Sequence, residues 1–232
     1  MAFVRVSVEN DVQDFCGWDF LIKLVNTCKN DFQKALIAFL FETGCRVSEL
    51  LMLKKHNFFL DIHPELIVVD KIPVLKKYKR VKIGNKVVIQ KVKSYRTIPI
   101  KKSEPLAEPM LSWLEKTKKD DLFPQLERVK NKRHKVLYII RKIGSSLRNK
   151  EIPSTTVPSD KLWPHWFRSQ RARQLVWDYD FTPIDLAAFF NWEIKPLGMI
   201  PTYAKPGWRQ LALKMGVDVR DTEIKRKKYL KI

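Results

Sequence analysis

The sequence predicts an α+β fold, mostly helical with a small antiparallel β-sheet, and three observations carry that expectation. Leu36, Ile37, Leu40 and Phe41 recur at helical spacing. A β-branched stretch between residues 66 and 100 is cut by a Gly84-Asn85 turn. Pro164 and Pro183 stand where the first turn of a helix accepts proline, because its φ is already helical and its missing N–H is not needed there. With 45% hydrophobic residues the 232-residue chain has enough apolar surface to form a core, which excludes a solvated basic tail.

In chain order, residues 10–29 and 31–43 read as helices, the second capped by Asn30 or Asp31. A short helix follows over 47–54. Two or three strands are expected in 66–100, built on Ile67-Val68-Val69, Val81-Lys82-Ile83 and the run from Val87. The pattern is helical again over 105–115 and 132–147, and a polar loop rich in Pro, Ser and Thr spans 151–160. Helices are then expected over 164–179 and 183–190, the latter opened by Thr182-Pro183-Ile184-Asp185. Trp163, Trp166 and Trp177 read as packing residues, and His56, His63 and His134 as surface residues.

The formal net charge is +20, and its distribution is uneven. Residues 1–70 hold 7 basic and 10 acidic side chains, whereas 71–102 hold 12 basic and 128–150 hold 9 basic, with no acidic residue in either stretch. Such segments repel themselves unless a polyanion lies against them, so nucleic acid is the expected partner. Lys76, Lys77, Lys79, Arg80, Lys82, Lys93, Arg96, Lys132, Arg133 and Lys135 are the candidate backbone contacts. Cys16, Cys28 and Cys45 lack CxxC spacing, which disfavours a disulfide framework or a zinc site. The longest apolar run, residues 35–41, is too short for a membrane span. With no secretory signal visible, an intracellular location is expected.

The segment Thr43-Gly44-Cys45-Arg46-Val47-Ser48-Glu49-Leu50 resembles the first signature of the tyrosine recombinase (integrase) family. The family's other parts follow in order. Arg96-Thr97-Ile98-Pro99-Ile100 looks like the end of its β-hairpin, and Lys91 stands at the place of its catalytic lysine, with Lys93 as a rival. His165-Trp166-Phe167-Arg168 matches its His-x-x-Arg box. Trp192 falls where members have histidine or tryptophan, although beside Phe189-Phe190 it also reads as a packing residue. Tyr203 stands in the nucleophile's place. The resemblance implies a catalytic domain over 1–203, with the family's separate core-binding domain absent or truncated. It also implies a basic tail over 204–232, either exchanged between protomers or a solvated end.

The implied reaction is site-specific DNA recombination by transesterification through a 3′-phosphotyrosyl intermediate, as in the integrase of a virus or mobile element. It needs no cofactor, neither metal nor ATP. Arg46 and Arg168 would hold the phosphate by bidentate bonds, Lys91 would protonate the leaving oxygen, and His165 would support the phosphate or accept the tyrosine proton. Trp192 would donate one indole N–H. Glu49 would orient Arg46 or His165. The expected partner is double-stranded DNA, with a homotetramer on DNA and a monomer without it. Two alternatives stay open: a type IB topoisomerase, and a nucleic-acid-binding protein of the same fold without catalysis.

Overall fold

The computed structural model describes residues 15–75, 78–83, 86–91, 94–147, 162–192 and 206–219; the strands at 78–83 and 86–91 are described by their backbone. Among these residues the fold is mostly helical around a three-stranded antiparallel sheet, with a separate two-stranded hairpin.

Helix α1 (Trp18–Asn26) buries Phe20, Leu21, Leu24 and Val25 on one stripe. Helix α2 (Asp31–Thr43) is the centre of the molecule, with every residue from Ala35 to Thr43 buried. At its start the Asn30 side chain accepts the Gln33 N–H at 3.0 Å, as its sequence suggests. It ends at Gly44 in the left-handed conformation (φ 55°). Helix α3 (Val47–Leu50) is a single turn, shorter than the expected 47–54.

Strands β1 (Phe58–His63), β2 (Leu66–Pro73) and β5 (Tyr95–Lys101) form the sheet in the order β1-β2-β5, with Phe58 opposite Val69 and Val69 opposite Ile98. Alternation assigns the two faces of β2. Ile67 and Val69 face the main core, whereas Leu66 joins a second cluster with Ala212, Val217 and Val219. Both faces are covered, which explains the unbroken apolar run at 66–69. Strands β3 (Tyr78–Ile83) and β4 (Lys86–Lys91) pair as the expected hairpin, with Lys91 opposite Tyr78 at its root.

Helix α4 (Ala107–Lys116) packs on α2. Helices α5 (Lys132–Leu147), α6 (Pro164–Tyr179) and α7 (Pro183–Phe190) have the bounds the sequence suggests. The expected loop at 151–160 lies outside the described residues. Helix α8 (Trp208–Lys214), which the sequence reading did not separate from the tail, seats Leu211, Ala212 and Met215 against its own chain. Lys214 pairs with Asp185 of α7 at 2.5 Å, and Lys101 Nζ of β5 donates to the Met215 carbonyl at 3.2 Å. No helix among the described residues is long and apolar enough to cross a membrane.

Candidate active site

The Arg-x-x-Glu spacing in the first motif has a local cause. Arg46 is the residue preceding α3, and its backbone N–H donates to Glu49 Oε2 at 3.0 Å while its guanidinium donates to Oε1 at 2.8 Å. An acid three residues into a helix can satisfy the unpaired N–H at the helix entrance. Here it also fixes the side chain of the same residue. Arg46 is 33% exposed and Glu49 only 1%, so the buried carboxylate aims a cation at the surface.

The turn ahead of Arg46 depends on Gly44. Its positive φ is costly for other residues, and a Cβ built there would run into the Phe190 ring. The Thr43 hydroxyl supports the turn by donating to the Phe39 carbonyl at 2.5 Å and accepting the Cys45 N–H at 3.2 Å.

Two further arginines join the ends of α2 and α7. Arg168 Nη1 donates to the Gly44 carbonyl at 2.5 Å and Nη2 to the Phe190 carbonyl at 2.9 Å. Arg96 donates to the Phe189 carbonyl through Nη1 and to the Thr43 carbonyl through Nη2 at 3.3 Å. The last carbonyls of a helix lack partners within it and carry partial negative charge. One pair of cations therefore neutralises two helix ends together. Both guanidiniums also approach Glu49 Oε2, Arg168 at 3.8 Å and Arg96 at 3.9 Å. Three cations thus surround one carboxylate. Burial, and next the neighbouring Arg96, push the Arg168 pKa down, as expected where positive charge exceeds its compensation.

Arg96 is consequently in the interior, 6% exposed, and not on the surface with the DNA-facing cations where its sequence context suggests. A charge set in the apolar strand Arg96-Thr97-Ile98-Pro99-Ile100 was the available signal. Arg168 is 1% exposed, with its ring of neighbours completed by Phe190 and Trp192, whose centroids lie 4.6 and 5.6 Å from the guanidinium carbon. Its Nε is buried without a hydrogen-bond partner. Trp192 stacks on Phe190 at 4.6 Å and is 36% exposed, so it packs and also reaches solvent.

A cleft of about 720 Å³ opens over this cluster, lined by Arg46, Ser48, Arg133, His134, Trp163 and His165 among others. Among the described residues no carboxylate lines it. Arg46 and His165 therefore share a surface, while Arg168 lies buried beneath the same motif. Two readings change here. His134 belongs to the cleft wall and not merely to the surface, and Trp163, 41% exposed, lines the cleft instead of the core. Trp166 is buried as expected, but Trp177 is 69% exposed.

The hairpin β3–β4 is rooted beside the site. The Val74 N–H donates to the Ser94 carbonyl at 2.8 Å, and the Asn191 amide donates to the Ser94 hydroxyl at 3.5 Å. The backbone of Lys91 thus lies three residues from a contact with the turn that carries Trp192. The side chains of Lys79, Arg80, Lys82 and Lys91, and all of Lys76, Lys77, Lys93 and Tyr203, lie outside the described residues. Lys132, Arg133 and Lys135 are exposed at the start of α5. Among the described residues no group of His, Cys, Asp and Glu is arranged to hold a metal ion.

Residues 19–179 match the family model for the phage integrase family. The chain belongs to that family. Integrases of this family are tyrosine recombinases that bind DNA and recombine it at specific sites. The matched span contains Arg46, Lys91, His165 and Arg168 and ends before Trp192 and Tyr203. Comparison with curated proteins and with solved structures gives no match.

Proposed function

We propose that this integrase-family chain cleaves and rejoins DNA through a covalent tyrosyl intermediate, as the recombinase of a virus or other mobile element. The supporting observation is the cationic centre in which Glu49, almost fully buried, orients Arg46 into a cleft shared with His165 and without a carboxylate among its described residues. In the reaction the phenolic oxygen of Tyr203 attacks phosphorus, the new O–P bond forms and the bond to the 5′-oxygen breaks. His165 takes the phenol proton and Lys91 delivers one to the departing oxygen. Arg46 and Arg168 compensate the charge that grows on the non-bridging oxygens. The phosphotyrosine conserves the bond energy, so a 5′-hydroxyl reverses the step without another energy source. The acting species is a tetramer on double-stranded DNA assembled from monomers, and action on DNA sets an intracellular location.

A nicked duplex carrying the target site should trap a denaturant-stable protein–DNA adduct in chelator and without ATP. An adduct formed equally by Tyr203→Phe would refute the assigned nucleophile. One observation favours a second reading. Arg168 gives both terminal nitrogens to carbonyls, as a residue that only holds the fold would do. A DNA-binding protein of this fold without catalysis would then bind the duplex and leave no adduct with any substrate.

A further inference from the structure

The proposed chemistry uses one wall of the cleft, Arg46 and His165. Another part of the lining is formed by the first turn of α5, which contributes Arg133 and His134. Both are exposed, and among the described residues neither side chain has an ion-pair or hydrogen-bond partner. Their placement is nevertheless fixed, because the Asn131 side chain accepts the His134 backbone N–H at 3.2 Å and α5 buries Val136, Ile139 and Ile140. This contrasts with Arg46, which Glu49 holds.

The volume also needs an occupant. About 720 Å³ falls in the range of cavities that enclose whole ligands of a few hundred cubic ångströms, well beyond one phosphate group. Two arginines and two histidines, with no carboxylate among the described residues of the same lining, cannot neutralise themselves. A polyanion with repeated charges can.

Resting on the strand-cleavage reading above, we infer that Arg133 and His134 form a second phosphate subsite, which holds the DNA backbone phosphate adjacent to the scissile one on the same strand. Fixing two successive phosphates sets the direction of the strand in the cleft and its register. Arg133 and His134 are therefore positioning residues, acting on the neighbouring linkage and not on the reacting atoms.

The test combines two measurements on the full chain with a nicked duplex. The salt dependence of binding is compared for the native sequence, Arg133→Gln and, as a control on the exposed outer face of α5, Lys142→Gln. Each phosphate contact contributes about 0.9 to the slope of log affinity against log salt. Arg133→Gln should therefore lose about 3.5-fold less affinity than the native chain over a fourfold rise in salt. Duplexes with single methylphosphonate linkages then locate the contact. Neutralising the phosphate next to the scissile one should weaken the native chain and Lys142→Gln much more than Arg133→Gln, which keeps only His134 at the subsite. An unaltered salt slope in Arg133→Gln, or equal sensitivity of that variant to the flanking methylphosphonate, overturns the subsite. The salt slope is a readout of binding alone: an unchanged slope in Arg133→Gln refutes the subsite, whereas a reduced slope with no adduct from any duplex refutes only the cleavage reading.

Discussion

Glu49 and Arg46 form a contact whose two halves should fail differently when removed. Arg46 is a third exposed, so Arg46→Ala should change unfolding free energy in urea by less than about 1 kcal/mol. Adduct formation should nonetheless fall by about two to three orders of magnitude, the effect of deleting one oxyanion donor. Glu49→Ala strips the compensating charge from two buried guanidiniums, Arg96 and Arg168, and breaking a buried pair costs about 3–5 kcal/mol. That variant should lose both stability and cleavage. Equal destabilisation by the two substitutions would mean that Arg46, not Glu49, anchors the cluster.

Where α2 and α7 end side by side, one residue without a side chain makes their bridge possible. Gly44 combines a left-handed backbone with contact against Phe190, whose ring lies under the Arg168 guanidinium. Gly44→Ala should lower the midpoint of thermal unfolding and shift Trp192 fluorescence, because Trp192 stacks on Phe190. A shift confined to stability would separate the turn from the site. Between α2 and α6 a second buried cluster has a different sign. Arg171 Nη1 lies 2.7 Å from Glu104 and 3.2 Å from Glu42, one cation between two carboxyl groups. Burial, and then the charge of Glu104, push the Glu42 carboxyl well above its ordinary value; burial also works against ionised Glu104, but the charge of Arg171 and hydrogen bonds from Glu42, Tyr179 and Arg171 together hold it below its own. A protonated Glu42 can donate its O–H to the Glu104 carboxylate, an interaction that raises the first group and lowers the second. Folding then binds a proton at Glu42, so stability declines as pH rises from the ordinary carboxylate range toward the raised folded pKa. Glu104 contributes the reverse, a stability lost as pH falls through its depressed value. Urea titrations from pH 5 to 8 should show Glu42→Gln gaining on the native chain as pH increases; parallel curves would place an ionised carboxylate at Glu42.

Across the whole molecule, what the sequence discloses follows the reach of each interaction. Helices α2, α6 and α7 were legible because their starts are local, an Asn30 cap in one case and proline in the first turn of the others. Arg46 and Glu49 were legible for the same reason, lying three residues apart on one turn. Strand β1 was missed because Phe58–His63 is a half-buried edge without a clean alternation, and α8 because seven residues depend on docking for their helix. The cleft required tertiary information. Only the meeting of the first turns of α5 and α6 puts His134 and Trp163 beside Arg46, and only the convergence of two helix ends explains an arginine inside β5.

Docking of α8 has one more consequence, for kinetics. Residues 193–205, which include Tyr203, join Trp192, stacked on Phe190, to a helix seated on β5 and α7. If Tyr203 is the nucleophile proposed above, a tether of 13 residues between two held points gives it an effective concentration set by chain length and not by how much protein is present. Once DNA is saturated, adduct formation should be first order, with a rate constant that does not change as protein is added. A rate constant that climbs with protein would show the tyrosine arriving from another copy, with α8 released from its own sheet.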